Sequence, residues 1–225
     1  MPLQELTAAA GRAGRRPRLH GPAWCLPRAA IGVALAAACA AADVPLGLAQ
    51  SVAGPLRGIR RGRPARWAAA RAALGVALTG WQAAGNLVNL AVNCLMIVGN
   101  ELASLLTLQP GAAFHLGWCT CRSAIGRGRM RRPVLIVEGG RGLAFLARTR
   151  VLLAGRPLRG ASLGSVLYTQ DVQGVWMEHE AGHTEQARLM GPLYFPLGAL
   201  LTMASHRFEV WAERLGLACR AWGPF

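Results

Sequence analysis

Two histidines four positions apart carry the clearest chemical signal in this sequence. They are His179 and His183, in EHEAGHTEQ at 178–186, and Glu180 directly follows the first. Positions i and i+4 of a helix lie one turn apart on one face, so both imidazoles can reach one zinc ion at about 2.0–2.1 Å. A carboxylate beside the first ligand can hold a water molecule and accept its proton. The spacing therefore predicts the metal centre of a hydrolase, with Glu180 as the general base.

A catalytic zinc ion also needs a third protein ligand and an open position for water. The candidates in SHRFEVWAERLG at 205–216 are His206, Glu209 and Glu213, and a more distant one is His115. Positions 206, 209 and 213 share one helical face. We expect Glu209 to be the ligand and Glu213, one turn on, to orient a ligating imidazole. In the alternative, both carboxylates face water and pair with Arg207 or Arg214.

Acidic residues are scarce in this chain, and half of them lie near the histidines. Of the ten in the sequence, five fall within 178–213: Glu178, Glu180, Glu185, Glu209 and Glu213. This concentration favours a metal site over a solvated helix face.

The histidines must be presented by a helix whose ends can be predicted. Asp171 can cap a helix that begins at Val172, and Gly191 followed by Pro192 ends it. One face of this helix carries, at spacings of three and four, Val172, Val175, Trp176, His179, His183, Gln186, Ala187 and Met190. The histidines share this face with apolar residues, so we expect them to point toward the protein interior.

The site residues together resemble a known enzyme family. The segments HEAGHTEQARLMGPLY at 179–194 and EVWAE at 209–213 are similar to the zincin metallopeptidases, which carry HExxH on one helix and ExxxD or ExxxE on a later one. The closest resemblance is to bacterial membrane-associated members with HExGHxxQxxxxGPLY. It implies one zinc ion held by His179, His183 and Glu209, with Glu213 as a supporting carboxylate. Residue 213 is Glu where many members have Asp.

The resemblance also implies a reaction and a substrate. The reaction is hydrolysis of a peptide or protein substrate by a zinc-activated water molecule that Glu180 deprotonates, with the proton passing on to the leaving amine. Tyr168 and His206 are candidates for stabilising the oxyanion. The segment ASLGSVLYT at 161–169 lies where zincins carry the strand that pairs with an extended substrate.

Strand signals appear only in the second half of the chain. The segments PVLIVE at 133–138, LAFLARTRVLLA at 143–154 and ASLGSVLYT at 161–169 are separated by Gly-rich turns. They predict a small antiparallel sheet. With the two site helices this gives an α+β, zincin-like domain, preceded by membrane-associated helices. Cys119 and Cys121, in LGWCTCRS, are interpreted as small residues on an extended segment rather than as a metal-binding pair.

The first half of the chain alternates between basic segments and apolar segments. Residues 72–100 carry no charge and exceed the ~20 residues needed to cross a bilayer, so they predict one long crossing or a tight pair of helices. The run IGVALAAACAAA at 31–42 is typical of a signal-peptide core or a membrane anchor. The predicted segments are 1–28, basic and disordered; 29–56, signal-like or anchor; 57–118, membrane helix or hairpin with basic flanks; and 119–225, the metal-binding domain.

Four asparagines interrupt the uncharged span, at positions 86, 89, 93 and 100, and we expect them to find partners inside a helical bundle. In the alternative, the span is a buried helix of a soluble protein. The later uncharged segment at 189–205 is expected to lie at or partly within the bilayer, unless it packs against the sheet. Localisation at a membrane, the bacterial inner membrane, follows.

The composition is hydrophobic and basic at once. Hydrophobic residues make up 53% of the 225, and the net charge is +15, with Arg as the only source of positive side-chain charge besides His. Nucleic acid is an unlikely partner because no basic stretch is interleaved with stacking rings. Two alternatives to a peptidase stay open: a non-catalytic zinc-binding membrane protein, and an Arg-rich module that binds membrane surfaces or nucleic acid.

Overall fold

The computed structural model describes residues 24–123, 129–141, 144, 160–170, 176–204 and 206–222. Asp171, the predicted helix cap, lies outside the described residues, as do most of the predicted strand at 143–154 and the first 23 residues. Residues 25–28, which were predicted to be disordered, instead belong to a helix. Arg28 is buried there, with its guanidinium 5.9 Å from the centre of the Phe114 ring.

The fold is α+β, as predicted. Two long helices come first: α1, Cys25–Arg60, and α2, Ala65–Leu106. The strands are β1, Ala113–Arg122; β2, Arg129–Glu138; β3, Gly160–Leu163; β4, Val166–Thr169; and β5, Gly216–Trp222. Between β4 and β5 lie α3, Trp176–Met190; a 3-10 turn, Gly191–Leu193; α4, Tyr194–Ala204; and α5, His206–Leu215.

The uncharged span at 72–100 is part of one continuous helix rather than a tight pair. Its hairpin partner is α1, which contains the run at 31–42, and both helices are long and apolar enough to cross a membrane. The chain turns between them at Gly62, which has a φ of 80° that favours glycine. The predicted boundaries at 56/57 and 118/119 fall inside α1 and β1, because charge marks a change of polarity and not the point where the backbone turns.

Helix α2 buries its polar side chains and exposes its apolar ones. The buried polar residues recur along one face: Thr79, Gln82, Asn86, Asn89, Asn93, Asn100, Glu101 and Ser104. Leu87 and Leu95, by contrast, are 71% and 76% exposed. Three of the four asparagines find partners, at the carbonyls of Ala40 (from Asn86, 3.2 Å), Leu163 (from Asn93, 2.9 Å) and Gly139 (from Asn100, 3.5 Å). Asn89 Oδ1 is buried with no hydrogen-bond partner among the described residues.

The five-stranded sheet has the order β3-β4-β2-β1-β5. It is mixed rather than wholly antiparallel, because β2 and β4 pair in parallel while the other neighbours are antiparallel. The expectation of antiparallel pairing assumed short hairpin connections between successive strands. The chain instead crosses over between β2 and β4 through residues 139–165, which is long enough to return β4 in the same direction.

Each face of the sheet packs on helices. Val137, Leu135 and Tyr168 face Ala36 and Ile97 of the hairpin, in one buried cluster. The alternate residues Val134, Ile136 and Leu167 face Met177 and Ala181 of α3, in another. The sheet thus separates this part of α3 from the hairpin, and the period of two along each strand decides which side chains can reach the α3 side.

A disulfide joins the two strands at the β5 end of the sheet. Cys119 and Cys121 lie on the extended strand β1, as interpreted from the sequence, and Cys119 pairs directly across from Cys219 and is bonded to it. Cys121 is a buried free thiol. Burial raises its pKa to about 11, so it stays protonated at neutral pH.

We expect exactly one disulfide to be found by counting free thiols in the unfolded protein. Of six cysteines, four are free, so alkylation in denaturant without reductant should add four labels, and six after reduction. Mass spectrometry reads the count. In the Cys219→Ser variant, five labels should appear without reductant. Six labels in unreduced wild type, protected from reductants during purification, would contradict the pairing.

Candidate metal centre

Helices α3 and α5 approach each other closely at a glycine. A Cβ atom added at Gly182 would lie 1.9 Å from the Ala212 carbonyl oxygen, so no larger residue fits without moving one helix. Gly182 precedes His183 on α3, and Ala212 lies between the two glutamates of α5. The contact brings the histidine side chains of one helix to the carboxylates of the other.

Three predicted ligands converge at this crossing. The Nε2 atoms of His179 and His183 are 3.1 Å apart. Glu209 Oε2 is 2.9 Å from His179 Nε2 and 3.6 Å from His183 Nε2. His179, Glu180 and His183 also form a group that could hold a metal ion, with ligand atoms within 4.8 Å of one another.

The spacing and chemistry of these atoms fit a tetrahedral ion. Two ligands of a tetrahedral zinc ion are about 3.3 Å apart, which the three separations bracket. The atoms are two imidazole nitrogens and a carboxylate oxygen, and such electron-pair donors face one another this closely only when they share a proton or a cation. Glu209 Oε1 is buried with no hydrogen-bond partner among the described residues, which leaves it able to accept a further bond.

Gln186 sets the orientation of His183. The Gln186 side-chain amide donates to the Phe208 carbonyl at 2.9 Å, so its Oε1 faces His183 Nδ1, at 2.6 Å. The oxygen can only accept, so His183 carries a proton on Nδ1, and its Nε2 is the ring nitrogen that faces His179 and Glu209. Sequence reasoning had placed Gln186 on the histidine face without a role, although its spacing of three from His183 is a usable signal.

Charge at the group favours an anionic Glu209. Burial alone would raise the pKa of Glu209, but the hydrogen bonds from His179 and His183 outweigh it and hold the pKa well below its usual range. For His183, burial lowers the pKa, and the hydrogen bond with Glu209 and the charge of Glu180 overcome this, so the net direction is upward. The pocket therefore attracts positive charge.

Glu180 lies between the histidines and the edge of the sheet. It is 4% exposed, and a Cβ atom added at Gly160 would lie 2.7 Å from Glu180 Oε1. The missing side chain of Gly160, the first residue of β3, thus leaves the space that the carboxylate occupies. Glu180 thus lies beside the three closest atoms, within the group of side chains that could hold a metal ion.

The remaining predicted site residues differ in their placement. Glu213 Oε1 is 4.0 Å from His179 Nδ1, on the side away from the converging atoms, which suits a supporting carboxylate. His206 is exposed at the first residue of α5. His115 is buried on β1, where its Nε2 is 3.0 Å from Glu138 Oε2 of the neighbouring strand. Only Glu213 of these three is brought to the histidines by a described contact.

Tyr168 does not reach the group, contrary to expectation. Its hydroxyl donates to Asn93 Oδ1 at 2.9 Å, on the hairpin side of the sheet. Neighbouring residues of a strand face opposite sides, and on β4 it is Leu167 that faces α3. A tyrosine near the group does exist, but it is Tyr194.

Tyr194, at the start of α4, links the site to β3. Its hydroxyl donates to the Ser162 carbonyl at 3.1 Å. Burial raises the pKa of Tyr194, and the charges of Glu180 and Glu209 raise it further, so the hydroxyl remains a proton donor. Sequence reasoning noted GPLY at 191–194 as part of the family pattern but assigned it no role.

In comparisons with protein-family models, curated proteins and solved structures, no significant match to this chain was found. The assignment of the site therefore depends on its own geometry.

Removing the Gln186 amide should weaken zinc binding by about 10- to 100-fold, the usual cost of losing a group that orients a ligand. The variant is Gln186→Leu, and zinc affinity is measured by competition with a chromophoric chelator. Gln186→Glu keeps an acceptor for His183 Nδ1 and should lose less than Gln186→Leu. Unchanged affinity in Gln186→Leu, with the protein still folded by circular dichroism, would contradict the orienting role.

Proposed function

We propose that this protein is a membrane-associated zinc metallopeptidase. The observation that carries the proposal is the convergence of His179 Nε2, His183 Nε2 and Glu209 Oε2, with the buried carboxylate of Glu180 beside them. Two histidines and one carboxylate are the donor set of a catalytic zinc site with an open position. Zinc, when bound there, supplies a Lewis acid that polarises a carbonyl group and lowers the pKa of water.

The chain's own residues have separate tasks in this proposal. Glu180 accepts the proton of the attacking water molecule and later delivers it to the leaving amine. Gln186 holds His183 through its Nδ1 atom, and Glu213, 4.0 Å from His179 Nδ1, adds negative charge beside the other imidazole. The buried surroundings of the group exclude bulk water, which strengthens each of these electrostatic interactions.

The substrate is proposed to lie along β3. This strand is at one end of the described sheet, beside Glu180, and an extended peptide can add to such an edge through main-chain hydrogen bonds. In the antiparallel pairing of β3 with β4, Ser162 directs its carbonyl away from β4, toward Tyr194. A peptide amide would replace the Tyr194 hydroxyl as donor to this carbonyl, which frees the hydroxyl to hydrogen-bond the substrate.

Membrane contact is proposed for the outer face of the hairpin and for α4. Burying asparagines while exposing leucines is unfavourable in water and favourable in lipid. The exposed large side chains of α2 and α4 include Leu87, Leu95, Phe195, Leu197, Leu200 and Leu201. Because α4 connects the two site helices, this arrangement puts the peptidase centre close to the bilayer.

The catalytic assignment is tested by metal content and peptidase activity measured on the same preparations. We expect about one zinc per chain in wild type, lost in His183→Ala and Glu209→Gln and kept in Glu180→Gln. Cleavage of a fluorogenic peptide library should fall by about 10²- to 10⁴-fold in Glu180→Gln, the usual cost of removing a general base.

Glu178→Gln is the matched control, because Glu178 is an exposed carboxylate on the same helix. It should keep both zinc and activity. Zinc retained by Glu180→Gln with no peptidase activity in wild type would favour the non-catalytic zinc-binding alternative, and wild type without zinc would end the metallopeptidase proposal.

Membrane contact is tested by placing a charge on the outer face of α2. Leu87→Asp should be depleted from carbonate-washed membranes, because Leu87 lies near the middle of α2 and a charged residue at the centre of a membrane helix costs about 2.5–3.5 kcal/mol. Leu108→Asp is the control: Leu108 is 75% exposed but lies beyond the end of α2, where its φ of 53° suits Asp better than Leu. Wild type in the soluble fraction would contradict the proposal.

A further inference from the structure

A basic cavity opens at the turn between α1 and α2, on a part of the molecule that the peptidase proposal does not use. Its volume is about 280 Å³. Six arginines line it: Arg57, Arg61, Arg63, Arg71, Arg129 and Arg188. None of the described residues that line it is acidic. Arg188 is paired with Glu185, whose carboxylate it contacts at 2.8 and 2.5 Å, and the other five are exposed at the mouth.

The fold assembles this cavity from two distant parts of the sequence. Arg57, Arg61, Arg63 and Arg71 lie at or near the hairpin turn, and Arg129 begins β2. The Gln50 side chain of α1 holds the two together, because it donates to the Arg131 carbonyl at 2.9 Å and accepts from the Arg131 amide at 3.2 Å. The arginine-rich segments before and after the uncharged span at 72–100 therefore meet at the same end of the molecule.

The size of the cavity suits a small anionic group. Gly75 packs so closely on Ser51 that an added Cβ atom would lie 2.7 Å from the serine side chain, so the base of the cavity is narrow. Its volume of about 280 Å³ is just below the range of about 300–1,000 Å³ for small-molecule sites. Guanidinium groups bind phosphate oxygens in a bidentate manner, so the arginines at its mouth favour phosphate over neutral ligands.

Apolar side chains continue outward from the mouth of the cavity. Trp67, which lines the cavity, is 61% exposed, and Leu74, seven residues further on the same side of α2, is 48% exposed. A phosphate held by the arginines would leave any attached acyl chains lying along these residues. Tryptophan beside basic residues is typical of the level of lipid headgroups.

We propose that this cavity binds the phosphate headgroup of an anionic phospholipid. The proposal rests on the membrane contact inferred above but not on the peptidase chemistry. The bound lipid fixes the hairpin turn at the membrane surface, at a point distinct from the ligand histidines.

The test measures lipid retention by the full-length protein in detergent. Protein is exposed to equal amounts of phosphatidylglycerol and phosphatidylcholine, and bound lipid is counted by native mass spectrometry. We expect preferential retention of phosphatidylglycerol in wild type. The double variant Arg61→Gln/Arg63→Gln should bind it roughly 30-fold more weakly, from the loss of two arginines near the surface.

The control double variant is Arg60→Gln/Arg66→Gln, which removes the same charge from the same turn at exposed residues that do not line the cavity. It should retain lipid like wild type. Equal loss in the two double variants would overturn the proposal in favour of diffuse surface charge, as would no loss in either.

Two further arms distinguish other ligands. Inorganic phosphate that displaces the lipid at equal concentration, or a single-stranded oligonucleotide that binds more tightly and is lost in the same variant, would overturn the lipid assignment. Zinc content should be unchanged in both double variants. Lipid selectivity in a protein that lacks peptidase activity would reject the proposed function while leaving this site intact.

Discussion

One buried arginine connects the parts of this molecule. Arg132, on β2, is 4% exposed and contacts Asp43 of α1 at 3.0 Å, Gln82 of α2 at 3.2 Å and Glu185 of α3 at 3.7 Å. Burial lowers its pKa, but the two carboxylates raise it above its ordinary value, so the charge persists inside the protein. Losing one partner of a buried ion pair costs about 3–5 kcal/mol, because the other charge is left uncompensated. The hairpin, the sheet and the site helix are therefore held in one relative arrangement.

This network also explains how Glu185 and Arg188 of α3 can be buried. Glu185 and Arg188 lie on the side of the helix that meets Arg132, while His183 and Gln186 face α5. Both sides of the helix are polar, and each has its own set of partners. A rotation of α3 about its axis would break ion pairs on one side and separate the ligands on the other. Rotation of the helix is thus limited by polar contacts on these two sides, in addition to the packing of Met177 and Ala181 on the sheet.

The sequence predicted features that depend on local spacing and missed those that depend on distant pairing. Helical spacing placed His179 and His183 on one face of α3, and Glu209 and Glu213 on one face of α5. These are the faces that meet where the two helices cross. Other features depend on the strand order, which no local pattern reveals. They are the sides of β4 on which Leu167 and Tyr168 lie, the Cys119–Cys219 disulfide, and the parallel pairing of β2 with β4. Gln186 and Tyr194 lay within the family pattern, but their roles depend on acceptors at Phe208 and Ser162 that only the folded chain brings near.

The two helices that carry the converging side chains contact each other directly as well as through the segment that joins them. Residues 191–205 leave α3 and return to α5 with an exposed apolar surface, which we propose contacts lipid. The two helices contact each other directly, through the Gly182 crossing and through the Gln186 amide bonded to the Phe208 carbonyl, one residue before Glu209. The Gln186 side chain also orients His183, so it contacts both His183 and the backbone next to Glu209. Tyr194 of α4 packs with Ala187 of α3 and Phe208 of α5 in one buried cluster, so α4 contacts both helices beside the three converging atoms.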